Sequence, residues 1–204
     1  MRRVAGICNL IQNAAMTPLL DLWLPIVVAA VAVFFLGFLF WMVLPHHRSD
    51  WAPLPDEDGA MNALRDLGVQ CPGQYSFPHC ATPDAMKDPE FIKKMEAGPS
   101  GMLVVMPPGP LQMGKSMGAT VVHNAVVAAL IAYAAGIFLA PGAEFMEVFR
   151  LTGTMGILAY CGAIPTQSIW FHRAWSDTWK TVADGVVSGV VVGLIFAGLW
   201  PSVG

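Results

Sequence analysis

Four unbroken apolar runs stand out along the chain, at 22–44, 119–140, 145–164 and 182–200, each bounded by polar residues. About 20 residues of helix cross a bilayer core, where each segment must satisfy its own backbone amides. The pattern therefore predicts an all-α integral membrane protein, a four-transmembrane-helix bundle. Pro25 falls in the first turn of the first span, where its missing N–H removes no helical bond, and Trp23 and Trp41 stand near the two ends as interfacial anchors. Residues 1–21 read as an N-terminal tail, with Met16 as a second candidate start, and 201–204 as a short C-terminal end.

Between the first two spans the chain turns polar. Residues 45–118 hold nine of its fourteen acids and predict a small, mostly irregular and helical extramembrane cap. Pro55–Leu67, ending at Gly68, reads as a short helix. Asp88-Pro89-Glu90 supplies an N-cap, a proline at the first helical position and a first-turn acid for another, which should stop at Gly98-Pro99. Met102–Met106 reads as a short strand or a segment lying on the membrane surface. The cap has too few apolar side chains to build a core unaided. Pro141-Gly142-Ala143-Glu144 forces spans two and three into an antiparallel hairpin. Residues 165–181, with Trp170, Trp175, Trp179, His172, Arg173 and Lys180, read as an interfacial aromatic loop.

Small residues recur every four positions in two spans, as Ala128, Ala132, Gly136 and Ala140 and as Gly185, Gly189, Gly193 and Ala197. Such glycine-zipper stripes let another backbone approach closely, which drives helix association in lipid. Either spans two and four pack within one bundle, or one groove faces a second subunit. His123, Asn124, Glu147, Arg150 and Asp184 lie within one or two turns of a predicted helix end. They read as headgroup anchors, with Glu147 and Arg150 spaced as a self-neutralising i,i+3 pair.

The composition fits lipid as the solvent: 55% of residues are apolar and 12% charged, about half the charged share of a soluble domain. A formal charge of −3 without a Lys/Arg run excludes a nucleic-acid partner. The first span is too long for a cleaved signal peptide. Arg48, Lys115, Arg173 and Lys180 share one side, which places the cap in the cytoplasm and both termini outside a plasma or inner membrane.

Reactive residues are few. Cys71 and Cys80 bracket a Pro/Gly turn and suit a disulfide, free thiols, or a metal site shared with His46, His47 and His79. Their spacing is not the Cys-x₂₋₄-Cys of structural zinc, no Cys-x-x-Cys-His haem attachment occurs, and Cys8 and Cys161 have no evident mates. Met102, Met106, Met113 and Met117 are thioether donors of the kind that bind Cu(I), and equally ordinary apolar filler. Gly109–Ser116 meets the bare phosphate-loop pattern, but a span follows it and no nucleotide-binding sheet can be built, so no nucleotide is expected. With no cofactor signature and no catalytic constellation, the expected function is a non-catalytic structural or accessory subunit of a membrane assembly, or a homo-oligomer. Its partners would be lipid and other membrane subunits or itself. The alternative is a metal-handling or redox membrane protein using His46, His47, Cys71, His79 and Cys80. A third reading is a small transporter using His123, Glu147 and Arg150.

Overall fold

A computed structural model describes residues 16–202; Cys8, most of the N-terminal tail and the last two residues of the C-terminal end lie outside it. The chain divides into two units, 1–50 with 112–204, and Trp51–Leu111.

The first unit holds four segments that are long and apolar enough to cross a membrane. The first is a 3₁₀ turn, Leu19–Leu22, running into helix α1, Trp23–Phe38, and then into a π-helical turn, Leu39–Val43. α4, Met113–Phe138, starts six residues earlier than the apolar run that announced it. α5, Phe145–Cys161, is extended by a one-to-two-turn helix α6, Pro165–Phe171. α7, Trp175–Gly198, begins seven residues before its apolar run. The interfacial loop expected over 165–181 is thus almost wholly helical and only 172–174 connect, with His172 in the left-handed conformation at φ 54°. The sequence hid this because the first turns of α7 are polar and aromatic, and hydropathy reports solvent rather than helicity.

The helices pair as α5 with α7 and α1 with α4, and α1 also meets α7. Both small-residue stripes thus meet partners within the chain, and spans two and four share one core without being each other's principal neighbour. The small residues of α7 receive α5, whose Gly153 and Gly156 supply the complementary face: a Cβ built on Gly156 would lie 2.9 Å from Gly189 Cα, and one on Gly193 would lie 2.8 Å from Gly153 Cα. On α4, Ala128, Ala132 and Gly136 are buried, and a Cβ on Gly136 would fall 2.5 Å from the carbonyl oxygen of Thr17. Leu22, Ala29, Val33, Ile131, Val148, Val192 and Phe196 fill the core between these contacts. Val27, Val31, Phe35 and Leu130 stay exposed on the outer faces of these helices.

Helix ends leave carbonyls that a low-dielectric surround cannot satisfy. The C-terminus of α4 is closed by donors from elsewhere: Thr17 gives its N–H to Gly136 O (2.9 Å) and its hydroxyl to Leu139 O (2.7 Å). Trp200 Nε1 donates to Ala140 O (3.0 Å), so Ala140 lies beyond the helix instead of on its stripe.

The second unit contains α2, Glu57–Asp66, and α3, Pro89–Ala97, each capped by the aspartate before it: Asp56 accepts from Gly59 N–H at 2.8 Å and Asp88 from Glu90 N–H at 2.9 Å. Strands β1, Gly73–Phe77, and β2, Gly101–Val105, pair antiparallel from Gly73 opposite Val105 to Phe77 opposite Gly101. The chain is therefore mostly helical and not all-α, and Met102–Met106 is largely strand. None of residues 51–111 is buried, so this unit has no core of its own. It is also shorter than the 45–118 expected, because 45–50 and 112–118 belong to the first unit.

Candidate metal centre

The centre forms where α1 ends. Leu44 precedes a proline, and its clash with the proline ring favours extended backbone; it sits at φ −76°, ψ 142° and stops the helix. Pro45–His47 then make a 3₁₀ turn, closed by Arg48 N–H on Pro45 O and Asp50 N–H on His47 O, both at 3.1 Å. This tight turn puts His46, His47 and Asp50 within reach of one another. α7 supplies the other half as a polar stripe at helical spacing, Asp177, Lys180 and Thr181, Asp184 and Ser188.

His47 is held on three sides. Its Nδ1 lies 2.6 Å from Asp50 Oδ2, its Nε2 lies 2.7 Å from Asp184 Oδ2, and its ring stacks on the Trp41 indole at 3.9 Å with the planes 3° apart. His46 Nε2 stands 3.1 Å from Asp184 Oδ1. Lys180 Nζ donates to Asp50 Oδ1 at 2.6 Å and to Ser49 Oγ at 2.9 Å. The side chains of His47 and Asp50 are each 3% exposed, so the pair is effectively out of water. With His47 protonated, each of Asp50 and Asp184 meets a cation, and Asp177 lies 3.8 Å from Lys180 as a third, outlying carboxylate. Burying such a group costs desolvation that its attractions need not repay, so stability alone is a weak reason for it, and clusters of this kind concentrate at functional sites.

Burial opposes charge on His47, but the hydrogen bonds and charges of Asp184 and Asp50 outweigh it and raise the imidazole above its ordinary value. Burial likewise opposes charge on Asp50, yet Lys180 and His47 hold its carboxyl below the usual range. The signs fix a window. The Asp50 contribution is present above the ordinary aspartate value, roughly pH 4, and is lost as pH falls through the depressed one. The His47 contribution is complete below roughly pH 6.5 and is lost as pH rises through the raised value. In EDTA, the thermal unfolding midpoint should be flat between these limits and fall on both sides. His47→Gln should remove the alkaline fall; an unchanged alkaline fall in that variant would refute the pairing.

The donor atoms of His46, His47 and Asp184 lie within 4.8 Å of one another. Tetrahedral ligands at zinc distances stand roughly 3.4 Å apart, so the cluster needs little movement to take a cation. Its chemistry fits as well. With Asp50 on Nδ1, the Nε2 of His47 is the nitrogen turned to the shared carboxylate, the carboxylate–histidine arrangement that orients metal-binding imidazoles.

Of the residues singled out in the sequence, His46 and His47 come together with Asp184, which read as an anchor but sits about two and a half turns inside α7. Cys71 and Cys80 are free thiols, one of the three states their spacing left open, and not the disulfide candidate; Cys80 Sγ donates to Thr82 O at 3.0 Å, and His79 Nδ1 lies 3.1 Å from Ser76 Oγ. Among the described residues only His46, His47 and Asp184 form a potential metal group, so the ligand set expected with Cys71, His79 and Cys80 is corrected too. Met102 and Met106 belong to the second unit, Met113 and Met117 to the first. Glu147 and Arg150 are both exposed and make no ion pair among the described residues. His123 is exposed and Asn124 buried, and both line a cavity of about 660 Å³ that Asp184 also lines. Asp50 and Lys180 were missed as site residues; the signal for Lys180 was the helical spacing of Asp177, Lys180, Asp184 and Ser188 across a boundary drawn from hydropathy alone, and for Asp50 its place three residues after His47. Comparison with protein-family models, with curated proteins and with solved structures finds no match to this chain, so its function is argued from this geometry.

Proposed function

We propose that this chain is a multi-pass integral membrane protein that binds a divalent transition metal, zinc foremost, through His46, His47 and Asp184. Two imidazole nitrogens and a carboxylate are a donor set suited to zinc and to other first-row metals of similar preference. The observation that carries the reading is the fixed ring of His47, with Asp50 at Nδ1 and Asp184 at Nε2. A structural ion pair would use one such contact; here the ring is stacked, oriented and shared. Lys180 then balances Asp50, so the second carboxylate does not leave the centre over-charged. The accessory-subunit expectation rested in part on two small-residue grooves; both are covered within the chain, so the grooves do not favour it over the metal reading.

Protein purified in mild detergent, stripped with EDTA and titrated with zinc should bind one equivalent. His47→Ala should abolish that equivalent, while Cys71→Ser with Cys80→Ser should leave it intact. Loss of zinc in the cysteine variant would move the site to the second unit, and no zinc uptake by the wild-type protein would leave the cluster an ionic latch.

A further inference from the structure

We infer that Lys180 makes the centre a releasing site: its ammonium opposes the charge of a bound divalent metal and crosses from Asp50 to Asp177 while the metal is held. The inference rests on the metal reading above and concerns how strongly the metal is kept. The polar contacts of Lys180 Nζ are with Ser49, Asp50 and Asp177, not with the three metal donors. Lys180 therefore acts on the metal through Asp50 and His47, as a positioning residue.

Two places are open to this ammonium. In the first, where it stands, Nζ lies 2.6 Å from Asp50 Oδ1 and 2.9 Å from Ser49 Oγ. The second is Asp177, three residues earlier on the same face of α7, whose Oδ1 is 3.8 Å from Nζ and accepts from Ser176 Oγ at 2.9 Å. The Lys180 side chain is 26% exposed and that of Asp50 3%, so the ammonium has room to move and the carboxylate has none. Without metal, Asp50 meets Lys180 on one oxygen and His47 on the other. A divalent ion on His47 Nε2 withdraws charge from the ring and strengthens the Nδ1–H bond to Asp50, so the metal answers that carboxylate through the ring and leaves less of it for Lys180. The metal also repels the ammonium directly, and a setting so poor in water screens the repulsion weakly. By linkage the penalty is mutual: Lys180 loosens the metal by as much as the metal loosens Lys180 from Asp50. Asp177 limits that penalty by receiving the displaced charge. A site built to keep its metal would leave Asp50 to His47 alone, whereas this one divides the carboxylate between the ring and a cation.

The test uses the full chain in mild detergent at one fixed pH, stripped with EDTA and reloaded with zinc. Affinity is read by chelator competition and release by the rate at which excess EDTA withdraws the metal. Lys180→Met removes the charge and nearly keeps the length; it should bind zinc about tenfold tighter and release it correspondingly more slowly, at unchanged stoichiometry. Lys180→Arg keeps the charge and should show no such gain. Asp177→Asn removes the second place and should weaken zinc binding several-fold on its own, but by less than about twofold beside Lys180→Met, where no ammonium is left to receive. Should Lys180→Met lower the metal-free unfolding midpoint, the rise of that midpoint with zinc decides, and it should exceed the wild-type rise. Equal or weaker zinc binding by Lys180→Met would overturn the opposing role of Lys180, and equal weakening by Asp177→Asn in both backgrounds would overturn the transfer. A wild-type chain that takes up no zinc fails the metal reading itself; one that takes one equivalent and gains nothing from Lys180→Met fails only this inference.

Discussion

Asp184→Asn is expected to weaken zinc binding by more than about 100-fold, beyond the 10–100-fold typical of losing a group that only orients a ligand. Among the described residues Asp184 alone hydrogen-bonds both imidazoles, with Oδ1 toward His46 and Oδ2 toward His47. The amide keeps the shape and removes the charge, and its NH₂ cannot accept from either ring. The metal-free protein should suffer as well, because a protonated His47 would then keep only Asp50, which it shares with Lys180. Removing one partner of a buried pair costs about 3–5 kcal/mol when fully enclosed. Asp184 is 16% exposed, so the lower end of that range applies. Asp50→Asn makes the contrasting case: it leaves all three metal donors and should keep the one-equivalent stoichiometry while affinity falls about 10–100-fold. Competition against a zinc chelator in detergent separates the two. Equal affinity for the wild type and Asp184→Asn would remove Asp184 from the site.

This centre was only half legible in the sequence. Pro45-His46-His47 announced a helix stop followed by two candidate ligands, but the aspartate three residues on went unread. The missing half lay 134 positions beyond Asp50, in a helix whose start hydropathy placed too late. Asp184 looked like the first residue of a span, where a charge reaches headgroups, because the polar turns before it resembled a loop. Period, not polarity, carries that information: Asp177, Lys180, Asp184 and Ser188 fall on one face only if the helix begins near Trp175. The helix pairing was hidden for a different reason. A small-residue stripe says that something approaches closely, but not which helix does, and Gly153 with Gly156 is a shorter signal than the stripe on α4.

Gly189→Leu is expected to be among the most damaging substitutions outside the centre. A Cβ built there would lie 2.8 Å from Gly156 C and 2.7 Å from Ile157 Cγ1, and closer still to Ile157 N. Most of these neighbours are backbone, which cannot rotate away, so α5 and α7 would have to part along their glycine contact. Over-packing ordinarily costs about 1–3 kcal/mol, and a clash against main chain belongs at or above the top of that range. Gly37→Ala and Gly118→Ala are the controls: an added Cβ meets nothing within 4 Å at either, and alanine's better helix propensity should leave stability equal or raised by up to ~1 kcal/mol. Because Gly189 follows Asp184 by little more than one helical turn, displacing α7 should also move that carboxylate away from His46 and His47. Gly189→Leu is therefore expected to lower both the detergent unfolding midpoint and zinc affinity, whereas the two alanine controls lower neither. A Gly189→Leu protein that unfolds like the wild type would mean that α5 and α7 do not meet at these glycines. One that unfolds early yet binds zinc normally would mean that the centre does not depend on the seating of α7.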